Sequence, residues 1–100
     1  MSATDTGLSV TIRLPAPLRG LAGGQAELAA AGRRVREVLA DAGRRHPELL
    51  ARVLDEAGAV RRFVNLYLGQ RDIRALAGLD TEVSAGDVLT IIPAVAGGAP

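Results

Sequence analysis

The chain has no cysteine, no lysine and no tryptophan, and only one phenylalanine, one tyrosine and one histidine among 100 residues. Without cysteine there can be no disulfide, iron–sulfur ligation, thiolate zinc site, nucleophilic thiol or side-chain persulfide. The lone His46 cannot build a His-based metal cluster, and a Ser-His-Asp triad would have to form around a residue lying directly before Pro47. It reads as a polar group in the last turn of a helix, where partial positive charge suits the macrodipole and Pro47 disfavours straight continuation. No apolar run approaches about 18 residues and residues 1–7 are polar, so neither a membrane span nor a signal peptide is visible, and a cytoplasmic protein is expected. The net charge is only +1, which removes the main support for electrostatic capture of nucleic acid. All 12 basic residues are arginines, as a GC-rich codon usage would give, and they read as scattered solvated charge.

Enough apolar material remains for a core. Leucine, valine, isoleucine and phenylalanine make up 28 of the 100 residues, above the roughly 20% below which a charged chain tends to stay disordered. A single domain of this length buries roughly 60–70% of its unfolded surface, enough for one modest core without staples.

Leu8, Val10, Ile12 and Leu14 alternate with Ser9, Thr11 and Arg13, the period-2 pattern of a strand over residues 8–14. Pro15 and Pro17 end its ladder, Gly20, Gly23 and Gly24 suit a flexible return loop, and a weak second strand over 25–31 closes a hairpin. Gly32 is a candidate N-cap for a helix whose Val35, Val38, Leu39 and Ala42 form one apolar stripe. After Pro47 the pattern Leu49, Leu50, Val53, Leu54, Ala57 gives a second short helix stopped by Gly58. Residues 61–68 read as a strand with Val64, Leu66 and Leu68 on one face and Phe63, Asn65 and Tyr67 on the other. Gly69-Gln70 is a turn, residues 73–79 an irregular crossing plugged by Leu76 and Leu79, and Glu82-Val83 at most a short edge strand. A turn at Ser84-Ala85-Gly86-Asp87 leads into residues 88–92, a continuous β-branched and aliphatic run expected for a central strand covered on both sides and ended by Pro93.

This order predicts an α+β protein with a mixed sheet wrapped around a helix, the β-grasp or ubiquitin-like arrangement, with first and last strands parallel neighbours. The expected organisation is a disordered N-terminus over residues 1–7, the β-grasp domain over 8–93, and a flexible C-terminal tail over 94–100 carrying Gly97-Gly98.

Arg62-Phe63-Val64-Asn65, the turn Gly86-Asp87 and above all Ile91-Ile92-Pro93-Ala94-Val95-Ala96-Gly97-Gly98 resemble the sulfur-carrier proteins of the ThiS/MoaD type, most nearly the actinobacterial members that feed cysteine synthesis. The resemblance covers about residues 8–98, including Leu18-Arg19 and Gly23-Gly24. It implies that the Gly98 carboxylate is the reactive group. A ThiF/MoeB-like activating enzyme would use ATP to adenylate it, with no cofactor bound by the carrier itself. A sulfur donor would then convert it to a thiocarboxylate, and the sulfur would pass to an acceptor biosynthetic enzyme, so the chain would be a protein cosubstrate and not an enzyme. Ala96 and Gly97 belong to the tail that enters the partner, and Pro93 and Val95 to the partner-binding segment. Residues 94–98 can reach about 17 Å at roughly 3.3–3.6 Å each, and glycines at the tip fit a narrow channel because they lack a Cβ.

One departure from the family ending is Ala99-Pro100, which locks the Gly98 carboxyl in a peptide bond. The resemblance implies trimming by a zinc peptidase of the JAMM type; a carrier that has lost activity is the alternative. Two other functions use the same tail: the small subunit of molybdopterin synthase, and a ubiquitin-like covalent modifier, though without lysine the chain cannot build lysine-linked polymers of itself. For Phe63 and Tyr67 two readings stand. They cover a small second cluster on the sheet, or they mark a docking surface for the activating and acceptor enzymes on the face that one helical layer leaves bare.

Overall fold

The computed structural model describes residues 8–93, so the expectations for residues 1–7 and 94–100 lie outside the described residues. Strand β1 (Leu8–Arg13) runs into helix α1 (Ala16–Arg19), and after a 3-10 turn (Gly20–Ala22) strand β2 (Glu27–Gly32) returns antiparallel beside β1. Helices α2 (Val35–Arg45) and α3 (Pro47–Val53) follow, then β3 (Val64–Leu68), the two-residue β4 (Arg71–Asp72), two further 3-10 turns and β5 (Val88–Pro93). The sheet order is β2-β1-β5-β3-β4, with β5 parallel to β1 and antiparallel to β3. This is the β-grasp arrangement that the element order predicts.

The alternation in β1 does what period 2 requires. Val10 and Ile12 point inward beside Leu89 and Ile91 of β5 and Leu66 of β3, and all five are essentially inaccessible to water. The stripe Val35, Val38, Leu39 and Ala42 on α2 and Leu49 and Val53 on α3 complete one core beneath that face. Ser9, Thr11 and Arg13, Thr90 and Ile92, and Asn65 and Tyr67 share the opposite face, which no helix covers.

Four local expectations are corrected. The segment after Pro15 is a turn of helix and a 3-10 turn that bury Leu18 and Ala22, because Pro15 and Pro17 preset helical φ where missing N–H groups cost nothing. Gly32 ends β2 and is no N-cap. The α2 N-cap is Arg34, which gives no side-chain cap; Val35 N–H bonds instead to the Thr81 carbonyl at 3.0 Å, and Glu37 reaches back to Arg33 N–H at 2.8 Å. Helix α3 stops at Val53, and Leu54 turns extended to bridge Val60, leaving Ala57 exposed in the turn that Gly58 completes at φ +85°. Strand β5 is central yet covered on one face only: Leu89 and Ile91 are buried, whereas Ile92 is 43% exposed.

His46 is the hinge between α2 and α3. Its N–H bonds the Ala42 carbonyl (2.9 Å) while its own carbonyl accepts from Leu49 N–H (3.0 Å), so one residue ends one helix and begins the next. At the free edge of β2, the Ala31 N–H donates to Asp41 Oδ2 (2.9 Å) and the Ala29 carbonyl accepts from Arg45 Nη2 (2.7 Å), both side chains coming from α2. Asp41 is also ion-paired to Arg44 and Arg45. No helix among the described residues is long and apolar enough to cross a membrane.

Candidate functional site

The site implied by the sequence begins where β5 ends. Thr90 lies beside Arg13, the last residue of β1, and β5 then runs on through Ile91, Ile92 and Pro93 with only β3 for a partner, Pro93 opposite Val64 and Ile92 opposite Asn65. The backbone is therefore held firmly up to Pro93 by a central strand. Ala94, Val95, Ala96, Gly97, Gly98, Ala99 and Pro100 lie outside the described residues.

Two grooves flank this end of the sheet. On one side Arg13, Pro15, Arg19, Glu27 and Thr90 border a concavity that also includes Ile92. The Arg19 guanidinium is tied down there by an Nε bond to the Leu14 carbonyl (3.0 Å), and Arg13 lies 3.9 Å from Glu27. On the other side Leu18, Arg52, Arg62, Phe63, Val64 and Pro93 line a groove of about 500 Å³. The two large hydrophobic side chains most exposed among the described residues, Phe63 at 47% and Ile92 at 43%, thus stand on either side of the root of the tail.

Phe63 and Tyr67 do not form one patch by strand alternation. Strand β3 starts at Val64, and Phe63 sits in the turn before it, closed by Val64 N–H to the Arg61 carbonyl (3.0 Å), where alternation does not apply. The ring borders the groove with Pro93, and the Arg62 guanidinium lies 5.9 Å from its centroid, in cation–π range. Tyr67, half-buried, stands opposite Thr90 on the uncovered face. Beside it Arg74 Nη2 donates to Asn65 Oδ1 (3.0 Å) and pairs with Asp72 (2.7 Å), which also caps the following 3-10 turn by accepting from Arg74 N–H. The side-chain hydrogen bonds from Arg74, then its backbone N–H, hold the Asp72 carboxyl below its ordinary 3.8. From α2, the side-chain hydrogen bond of Arg36 and then its charge likewise lower the Asp80 carboxyl.

Sequence reasoning named Leu18, Arg62 and Ile92 only as parts of the family motif, without giving them a place in the site, and missed Arg52 altogether. For Ile92 the signal was present, since one helical layer can cover only one face of β5. That Leu18, Arg52 and Arg62 share one groove was not readable, because α1, α3 and the turn before β3 meet only in three dimensions.

The comparisons with known proteins follow the same geometry. A family model described as the ThiS family matches residues 12–98, a span that runs from β1 to the second tail glycine. The sulfur carrier protein CysO of Mycobacterium tuberculosis is 38% identical over 93 residues, covering 91% of this chain and all of that protein. The crystal structure of the Amycolatopsis orientalis BexX/CysO complex contains a chain that superimposes with a TM-score of 0.83 at 43% identity, covering 89% of this chain and 99% of that one. The small archaeal modifier protein 1 of Methanosarcina acetivorans superimposes with a TM-score of 0.79 at 31% identity, covering 92% and 98%. A β-grasp sheet whose central last strand leads into the double glycine, matched over nearly its whole length, places this chain in the ThiS family, among the sulfur carriers.

Proposed function

We propose that this chain carries sulfur as a thiocarboxylate on Gly98 and delivers it to a biosynthetic enzyme, for cysteine or a specialised sulfur metabolite. The observation that carries the reading is the family match ending at Gly98 on a body whose last strand leads straight into that tail. The absence of cysteine supports it, since no side chain of this protein can hold a persulfide.

Hydrolysis of the Gly98–Ala99 amide, assigned to a JAMM-type zinc peptidase, frees the carboxylate. An oxygen of that carboxylate attacks the α-phosphorus of ATP on a ThiF/MoeB-like activating enzyme and displaces pyrophosphate. A sulfide equivalent then displaces AMP, leaving the thiocarboxylate, and the carbonyl oxygen is retained. The carrier's contribution is presentation. Residues 94–98 span about 17 Å when extended, so the carboxyl enters a deep active site while the sheet stays outside. The crystal structure of the Amycolatopsis relative, a complex of BexX with CysO, supports delivery to a partner protein. All of these partners work in the cytoplasm in this reading.

The likeness to a small archaeal modifier protein favours one second reading, in which adenylated Gly98 is passed to lysines of target proteins. Protein recovered from its native cell separates the two by mass spectrometry: oxygen-for-sulfur exchange at the C-terminus supports the carrier, isopeptide adducts the modifier. Incubation with the activating enzyme and labelled ATP tests the shared first step. A chain ending at Gly98 should become adenylated and the 100-residue chain should not; equal labelling of both would refute the need for trimming.

A further inference from the structure

The groove beside the end of β5 is lined by three arginines and by no acidic side chain, while Arg33 and Arg71, also exposed and outside the ion pairs, lie elsewhere on the surface. Six arginines, Arg13, Arg34, Arg36, Arg44, Arg45 and Arg74, are ion-paired to carboxylates of the chain itself. Arg52 on α3 and Arg62 in the turn before β3 make none of the ion pairs among the described residues, both are exposed, and both line the groove with Phe63 and Pro93. No acidic side chain lines it. The third arginine there, Arg61, is committed by its Nε to the Ala51 carbonyl (2.7 Å) and also borders Asp55 and Glu56 on its other side, so Arg52 and Arg62 hold the available charge.

We propose that this groove is the electrostatic dock for the activating enzyme, taking an acidic segment whose carboxylates pair with Arg52 and Arg62 and whose apolar side chain covers Phe63. The inference rests on the carrier reading. The groove includes Pro93, the last residue held by the sheet, and the tail reaches about 17 Å beyond it. Any enzyme that receives Gly98 in its active site therefore has its own surface within that distance of the groove. A desolvated arginine facing a neutral or basic wall is costly, whereas facing carboxylates it steers encounter and fixes orientation. Guanidinium groups suit this better than ammonium because they present a planar fork to a carboxylate and, as Arg62 does here, lie over an aromatic ring.

The test uses the chain ending at Gly98 and a ThiF/MoeB-like adenylating enzyme from the same cell, with carrier-dependent ATP–pyrophosphate exchange as readout. Replacing both Arg52→Glu and Arg62→Glu should raise KM for the carrier by about tenfold or more with kcat little changed, and should flatten the salt dependence of kcat/KM. The milder pair Arg52→Gln and Arg62→Gln should raise KM by about threefold, which keeps the test open if charge reversal impairs folding. Arg71→Glu, an exposed reversal on β4 away from the groove, should leave KM unchanged. A KM within twofold of the parent for both double variants, with the parent adenylated, overturns the dock and leaves the carrier function standing. A lower KM would mean that residues 94–98 occupy the groove themselves and are released by the reversal, which also overturns it. Failure of the parent chain to be adenylated overturns the carrier reading, and the dock with it.

Discussion

Gly32→Ala probes a close approach between the sheet and its covering helix. A Cβ on Gly32 would lie 2.7 Å from the backbone nitrogen of Val38 and 2.8 Å from Cβ of Glu37. Heavy-atom contacts settle near 3.5–4.0 Å, so α2 would have to retreat by about 0.8 Å. It is not free to do so, because Val35 N–H is bonded to Thr81 and Asp41 and Arg45 are bonded to β2. The conformation of Gly32 is not left-handed, so alanine is opposed by the collision alone. Overpacking of this kind costs about 1–3 kcal/mol, while the stiffer unfolded chain returns about 0.4–1 kcal/mol. The balance is destabilising by about 1–2 kcal/mol, a fall in Tm of at least about 4 °C for a domain of this size. Urea unfolding beside thermal melts measures it. Gly20→Ala is the control: with φ −63° and nothing within 4 Å of its Cβ, it should be neutral or stabilising by up to about 1 kcal/mol. A Gly32→Ala variant within about 0.5 kcal/mol of the parent would refute the reasoning and show that α2 yields freely.

Phe63→Ala should change stability by no more than about 0.5 kcal/mol, because nearly half of its surface is already in water; a loss of about 3 kcal/mol or more in denaturation would place the ring in the core. Asp41→Ala should cost about 1–3 kcal/mol through the lost charge-assisted bond to Ala31 N–H, read by the same unfolding curves. For Asp72 the folded-state pKa is lowered, so its contribution is complete above 3.8 and fades as pH falls through the lowered value. A carboxyl NMR titration should find it below 3.8, and Arg74→Gln should move it back up.

Much of the fold was legible because its periodicities are strong. The alternation of β1 and the stripe of α2 each demand one buried face, and burial of Val10, Ile12, Val35 and Val38 meets that demand. The misreadings arise where two local rules compete or where coverage depends on topology. Pro15 and Pro17 break a strand, but the same fixed φ starts a helix, and only packing of Leu18 decides for the helix. Val88 to Ile92 is a β-branched and aliphatic run, yet the helices lie on one side alone, so Ile92 emerges to water. At the site, the end of β5 at Pro93 was readable, while the meeting of Arg52, Arg62 and Phe63 with it was not, since those residues come from separate elements.

The bonds from Asp41 and Arg45 to the outer edge of β2 determine how this molecule can be handled. An exposed edge is a template on which another strand can add, leading to self-association or to recognition by strand addition. Here the outward-facing Ala31 N–H and Ala29 carbonyl are already occupied by side chains of the protein's own helix. The opposite edge of the sheet, β4, is only two residues long. On the proposed carrier function, the protein has to release each partner in turn and must not stick to its own copies. Blunting the edges in this way favours side-chain faces, grooves and tail as what partners grip, and such contacts can be exchanged without unzipping a ladder of backbone bonds.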